Sequence, residues 1–280
     1  MSAPRYVVIT DVDGTLLDQD FGWSEAVPAL HILAEAGVPV VLCSSRTQSE
    51  LQSLTRALGL RTPFIVENGG AVVVPKGCFA HGVPLARDEG PFLVLPLGIG
   101  RPQLLAALAE IVAEVGVKVR GFAGLTPLAL KRLSGLSRRE AERALAREFD
   151  EPFLIEGYGR PEAVIRCARA HGLRVRRGGR FFHLAGGSDK GRAVRVLVGL
   201  YEADGFHVRT LGLGDAENDL PMLLAVDEPI LMPRSDGSLD PALASELPHA
   251  RRAPSPGPAG WREAVLAFMR REMVATGGPA

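Results

Sequence analysis

The sequence predicts an α/β protein in which a parallel sheet flanked by helices is divided by an α+β insert. Three observations lead there. Residues 5–75 alternate short apolar runs (RYVVIT, VPVVLCSS, PFIVEN) with amphipathic stretches at 24–36 and 48–58, the pattern of βαβ units whose strands are buried on both faces. From Leu85 to Gly186 the texture changes to FLVLPLG, VKVRGF, PFLIEG and RVRRGGRFFHLAG, with helical periods at 103–115, 137–149 and 161–170 and a hairpin expected around Gly178 and Gly179. After Gly187 the first texture returns: a helix over 190–203, the strand VRTLGLGD, a helix over 218–226 and the strand EPILMP. Residues 1–84 and 187–280 are therefore expected to form one core, and 85–186 a second domain set into it. The Pro- and Ala-rich stretch 241–260 reads as surface wrapping, and 261–273 as a terminal amphipathic helix.

Composition narrows the function. Of 280 residues, 46% are hydrophobic and 23% charged, the balance of a globular chain. Lys+Arg and Asp+Glu are equal at 32 each, so no basic field favours nucleic acid or an anionic membrane. No apolar run approaches the ~18 residues of a membrane span, and the N-terminus leads into a strand rather than a signal peptide, so the expected location is the cytoplasm. Cys43, Cys78 and Cys167 are far apart, with no CxxC pair, and read as small apolar fillers rather than a disulfide or zinc framework. With 28 Arg and only 4 Lys, a lysine in a Gly/Ser/Asp context stands out. Lys190 is that residue.

Four strand-to-helix junctions carry the chemistry. The first strand ends in Asp11-Val12-Asp13-Gly14-Thr15, where two carboxylates two residues apart repel unless a cation sits beside them. The second ends in Cys43-Ser44-Ser45-Arg46-Thr47, hydroxyls that can cap a helix or hold a phosphoryl oxygen. Gly187-Ser188-Asp189-Lys190-Gly191 sets a lysine at a helix N-terminus, where the macrodipole disfavours a cation and a bound anion would resolve the conflict. Gly214-Asp215-Ala216-Glu217-Asn218-Asp219 is a second acidic turn. Each has an ordinary account as a turn, a cap or a solvated side chain. Their order at successive junctions is what such accounts leave unexplained, because ligands of open α/β sheets bind outside the carboxyl ends of strands.

The set DVDGT, a hydroxyl after the second strand, SDKG and GDAEND resembles the haloacid-dehalogenase superfamily of phosphatases. The insert between the second and third motifs is similar to the larger α+β cap (C2B type) of its Cof-like group. VENGG, GLSRREAERALAREFDEPF and GGRFFHLAGGSDKG further resemble the branch that dephosphorylates mannosyl-3-phosphoglycerate. The resemblance implies a Rossmann-like core, with Asp11 as nucleophile, Asp13 as general acid/base, and Ser44 and Lys190 on the phosphoryl oxygens. It also implies Mg2+ on Asp11, the Asp13 carbonyl and Asp215, supported by Asn218 and Asp219, and a sugar-phosphate substrate on the route to mannosylglycerate. Ser45 stands where other Cof-like chains carry glycine. Candidates for substrate contact are Ser45, Arg46, Glu67, Asn68, Gly69, Arg147, Glu148, Arg180 and His183; a glycerate carboxylate needs N–H donors or cations, and Arg suits it.

Other phosphatases with the same machinery, acting on glucosyl-3-phosphoglycerate, sucrose phosphate or hexose phosphates, stay open, as does a phosphomutase. From a different class, a phospho-acceptor module would be small and uncapped, and a non-catalytic sugar-phosphate binder would have no use for both Asp11 and Asp13.

Overall fold

The structure, a computed structural model, describes residues 5–157, 160–178 and 180–275. Strand β1 (Arg5–Thr10) turns its alternating sequence into two layers, with Val7 and Ile9 packed on one face and Val8 on the other. A 3-10 turn at Ser24–Ala26 leads into α1 (Val27–Glu35), followed by β2 (Val40–Leu42). Helix α2 (Gln48–Ala57) starts at a reciprocal cap: Thr47 Oγ1 accepts from the Glu50 N–H at 3.2 Å, and Glu50 Oε2 accepts from the Thr47 N–H at 2.8 Å. Strands β3 (Phe64–Val66), β4 (Ala71–Pro75), β5 (Arg87–Glu89) and β6 (Phe92–Pro96) then form an antiparallel sheet in the order β3-β4-β6-β5.

Here the structure corrects the sequence reading. β5 and β6 pair with β4, and Val94 lies in the same cluster as Val8 of β1, so the boundary placed at residue 85 falls inside this sheet. FLVLPLG belongs with the core because its register partners are the buried valines of β4.

The inserted region proper begins with α3 (Arg101–Val115) and continues through β7 (Lys118–Gly121), α4 (Pro127–Ser134) and α5 (Arg138–Leu145). The helix expected over 137–149 stops at Leu145. Helix α4 was not anticipated, because Thr126 caps it over only eight residues. Then follow β8 (Glu151–Glu156), α6 (Pro161–Ala170), β9 (Arg174–Gly178) and β10 (Phe181–Ala185). The last two strands pair antiparallel as the expected hairpin; Gly179, assigned to its turn, lies outside the described residues. The sheet β7-β8-β10-β9 packs Phe153, Val175 and Leu184 against Leu104, Leu108 and Ile111 of α3 and Val164 and Ala168 of α6. Full burial of such side chains contributes about 1.5–3 kcal/mol each.

The chain returns to the core through α7 (Lys190–Ala203), β11 (Val208–Gly214), α8 (Leu220–Leu223) and β12 (Glu228–Leu231). The helix expected over 218–226 is shorter, a 3-10 turn at Glu217–Asp219 followed by one turn of α8. The stretch read as surface wrapping instead supplies α9 (Pro241–Glu246), with Leu243 buried, and β13 (Arg251–Arg252), the edge strand of the main sheet. Helix α10 (Gly257–Ala275) closes the described chain.

The main sheet is parallel throughout, in the order β13-β12-β11-β1-β2. Helices α1 and α10 cover one face through Leu30, Leu33, Trp261, Val265 and Phe268; α7 to α9 cover the other through Val194, Leu197, Met222 and Leu243. All four functional junctions leave the core at carboxyl ends of β1, β2 and β11 or at the start of α7. Among the described residues no helix is long and apolar enough to cross a membrane.

Candidate active site

Lys190 is the centre of the site, and its side chain is fully buried. Asp189 caps α7 by accepting from the Arg192 N–H, which sets Lys190 in the first turn. Its Nζ donates to Asp11 Oδ1 and to Asp219 Oδ1, both at 2.6 Å. The dipole conflict noted in the sequence is thus met first by two carboxylates. Asp219 is itself fixed, since its Oδ2 accepts from the backbone N–H groups of Asp215 and Ala216 at 3.1 Å.

Asp11 sits just beyond β1, held from below. Trp261 Nε1 donates to Thr10 Oγ1 at 3.0 Å, and that hydroxyl donates to the Asp11 carbonyl at 2.7 Å. Thr15 Oγ1 donates to Asp215 Oδ1 at 3.0 Å. Between them Gly14 has φ +85°, and a Cβ there would stand 2.7 Å from Asp215 Oδ2, so only glycine lets the first motif approach the last.

Asp11, Asp215 and Asp219 each offer an oxygen, all within 4.8 Å of one another. Three carboxylates share one ammonium. Burial, and then the Asp219 charge, push the Asp11 carboxyl well above its ordinary value and Asp215 up to about 6. A divalent cation would remove that excess. Mg2+ holds oxygens at ~2.0–2.1 Å, which places its ligand atoms roughly 3–4 Å apart, so the donor set fits. Asp219 is already committed to Lys190 and two N–H groups, leaving Asp11 and Asp215 as the carboxylates with capacity. The Asp13 carboxylate is outside this cluster. Its oxygens accept from Arg46 Nε at 2.9 Å and Nη2 at 2.5 Å at the cavity mouth, so any share it has in ion binding would fall to its carbonyl.

A cavity of about 460 Å³ stands above this floor, lined by Asp11, Asp13, Ser45, Asn68, Asp215 and Asn218 from the core and by Arg176, Arg177 and His183 from the insert. Asn218 Nδ2 donates to Asn68 Oδ1 at 3.2 Å, joining two of its walls. Burial, then Arg174 nearby, push Arg176 below the usual guanidinium range, and it is in no ion pair among the described residues. An anion would relieve it. A second cavity of about 550 Å³ shares Asp13, Ser45 and His183 with the first and extends past Arg46 to Arg147, Phe122 and Phe181. Together they can accept a substrate with a phosphoryl end and a bulkier remainder.

The sequence candidates divide. Ser45, Arg46, Asn68, Arg147 and His183 line these cavities. Ser44 is buried beneath, and its Oγ accepts from the Arg46 N–H at 3.2 Å. Glu67 does not face substrate: it is 2% exposed, and its oxygens accept from the backbone N–H groups of Glu148 (3.0 Å) and Phe149 (2.9 Å). Gly69 serves close packing, because a Cβ would lie 2.2 Å from the Asp189 carbonyl oxygen. Glu148 turns to Arg87 at 2.7 Å, and Arg180 is exposed and donates to the Leu133 carbonyl. Each came from a segment resembling the mannosyl-3-phosphoglycerate branch, a signal that does not distinguish a ligand contact from a contact between chain segments. Arg176 and Arg177 are not among the sequence candidates; the basic run RVRR beside a Gly pair is the signal that points to them.

Comparison with known proteins gives the same outline. Residues 8–86 match a family model described as haloacid dehalogenase-like hydrolase. The chain is 38% identical over 265 residues to a protein of Methanococcoides burtonii named glucosyl-3-phosphoglycerate/mannosyl-3-phosphoglycerate phosphatase, covering 94% of this chain and 96% of that one. A protein of the same name from Persephonella marina is 36% identical, covering 92% and 95%. Among solved structures, a phosphatase of the haloalkanoate superfamily from Bacteroides thetaiotaomicron superposes with a TM-score of 0.64 at 19% identity over 95% of this chain and 96% of that one, a likeness of fold. With a relative 38% identical over 94% of its length and a haloacid dehalogenase-like model matching residues 8–86, the chain belongs to the haloacid dehalogenase-like hydrolases.

Proposed function

We propose that this phosphatase hydrolyses the phosphomonoester of mannosyl-3-phosphoglycerate, releasing mannosylglycerate and phosphate in the cytoplasm. The observation that carries the reading is the polarity of the cavity: an acidic floor with a fixed lysine, beneath Arg176, Arg177 and His183. A substrate bearing both a phosphate and a carboxylate suits such a roof, since charge-assisted bonds to guanidinium are the strong ones.

Asp11 attacks phosphorus, so an Asp–phosphate bond forms as the bond to the ester oxygen breaks. Asp13 protonates the departing oxygen, then takes a proton from the water that cleaves the aspartyl-phosphate. Lys190 holds Asp11 in line, and with Ser44 it supplies donors to the phosphoryl oxygens. Mg2+, held by Asp11, Asp215 and the Asp13 carbonyl, would supply positive charge against the phosphate dianion. The inserted domain closes the site against bulk water. Glucosyl-3-phosphoglycerate is a second substrate candidate, because both relatives' names carry it.

Phosphate release across mannosyl- and glucosyl-3-phosphoglycerate, sucrose phosphate and simple hexose phosphates tests this. We expect kcat/KM highest for the glycerate-bearing esters. Equal rates on hexose phosphates would sink the assignment of the roof to a carboxylate.

A further inference from the structure

Away from the active site, α3 and α6 of the inserted domain lie side by side, and each presents polar residues one turn apart. On α6, Cys167 and His171 are four residues apart, and on α3, Glu110 and Glu114 are too, so each pair shares a helix face. The thiol of Cys167, the Glu114 carboxylate and a ring nitrogen of His171 all lie within 4.8 Å of one another. His171 Nε2 is 3.4 Å from Glu114 Oε2, and its Nδ1 is 3.8 Å from Glu110 Oε2. The backbone sets this up: His171 ends α6 with its N–H on the Cys167 carbonyl, keeping it over the same turn.

From this geometry we infer a second metal site, for a borderline-soft divalent cation such as Zn2+, ligated by Cys167, His171 and Glu114. Ligands ~2.0–2.3 Å from a tetrahedral ion stand roughly 3.3–3.6 Å apart, which is the His171–Glu114 separation. Thiolate plus imidazole selects Zn2+ or Co2+ over Mg2+, so the site does not compete for the ion of the carboxylate cluster. Glu110 stands outside it, with Oε2 3.8 Å from Nδ1, where its charge favours the tautomer that carries the proton on Nδ1 and leaves the Nε2 lone pair for the metal. Glu110 and Glu114 are about two-thirds exposed, which gives an ion entry and leaves the fourth position to water. Cys167 is buried at the edge of the apolar cluster between α3 and α6, so a bound ion would tie the two helices together. The thiol proton is released to solvent on binding. Neither CxxC nor zinc-finger spacing announces the site, because its ligands come from two helices over 50 residues apart in sequence.

Co2+ titration of the full-length enzyme tests the inference. Thiolate-to-cobalt charge transfer gives a near-ultraviolet band that carboxylate ligation does not. The wild type should develop this band to one equivalent, Zn2+ should abolish it, and Zn2+ should raise Tm. Cys167→Ser should lose the band, and His171→Ala, at a solvent-facing position, should lose the Zn2+ shift in Tm, both with phosphatase turnover in Mg2+ unchanged. No band in the wild type, or a band that survives Cys167→Ser, would overturn the site and leave His171 as an ordinary partner of two glutamates.

Discussion

Two buried charge networks stand one above the other in this molecule, and they are built to opposite rules. The lower one sets Lys190 against Asp11, Asp215 and Asp219, three carboxylates for one ammonium. The upper one, where the inserted domain meets the core, sets Asp150 between Arg147 Nη1 at 3.0 Å and His183 Nδ1 at 2.8 Å, with Arg147 also donating to the Ser45 carbonyl. Burial would raise the Asp150 carboxyl, but His183 and Arg147 outweigh it and hold the group below its ordinary value. Asp11, at comparable burial, is pushed up. The second network pairs its charges directly, although Arg147 Nε and Asp150 Oδ1 stay buried without a hydrogen-bond partner among the described residues, whereas the first carries surplus negative charge that a cation would balance. That difference separates the proposed catalytic floor from the frame around it.

The largest effect that would break this contrast is on turnover. Asp11→Asn is nearly isosteric and keeps a partner for Lys190, so phosphate release should fall by about 10⁴-fold or more while Tm moves little. Turnover near wild type would remove Asp11 as nucleophile. Chelation should likewise abolish release and added Mg2+ restore it, and Asp215→Asn should weaken Mg2+ by at least the ~10–100-fold typical of disturbing a metal's surroundings. A calorimetric titration with unchanged affinity would show that the surplus charge has another purpose.

Truncating one partner in each network sharpens the comparison. Lys190→Met leaves Asp11 and Asp219 buried without their ammonium, and Asp150→Ala leaves Arg147 and His183 without their carboxylate. Each should cost about 3–5 kcal/mol in denaturant unfolding. They should part in Mg2+: the ion offsets part of the loss in Lys190→Met, because it binds the unpaired carboxylates, and none of that in Asp150→Ala. Equal rescue would erase the distinction between the networks.

The smallest effect concerns Glu67, which ties the core to the Glu148–Phe149 segment. Burial raises its carboxyl from 4.5 to about 7, with the neighbouring Arg147 opposing the shift. Folding therefore favours the protonated form, so this contribution is present in full below pH 4.5 and is lost as pH rises through 7. Its size is at most about 3 kcal/mol. Measured as the difference in unfolding free energy between wild type and Glu67→Gln, the wild type should lose ground steadily across that window; a flat difference would place Glu67 as ionised throughout.

Most of the fold was legible because parallel strands buried on both faces leave continuous apolar runs, as in RYVVIT and VRTLGLG. What misled was equally physical. FLVLPLG looks the same whether its partners are in the core or the insert, and 241–260 hides a two-residue edge strand and a six-residue helix below the length at which periodicity shows. In the site, Asp11, Asp215 and Lys190 could be picked out because acidic turns and a rare lysine occur in order at successive strand-to-helix junctions. Glu67 and Gly69 entered through the resemblance of VENGG and make contacts between chain segments, while Arg176 and Arg177 stand among 28 arginines with only the run RVRR to set them apart.

By itself, then, the sequence determined which residues stand at the ends of which strands, since side-chain period, turn chemistry and capping are local and need only neighbours along the chain. Tertiary structure alone decided which of those residues share charge: that Lys190 reaches Asp11 and Asp219, that Asp13 turns to Arg46, that Asp150 is claimed by Arg147 and His183, and that Cys167 meets Glu114. Electrostatic partnership acts through space over a few ångströms, and distance in space is the one quantity that order along a chain does not encode.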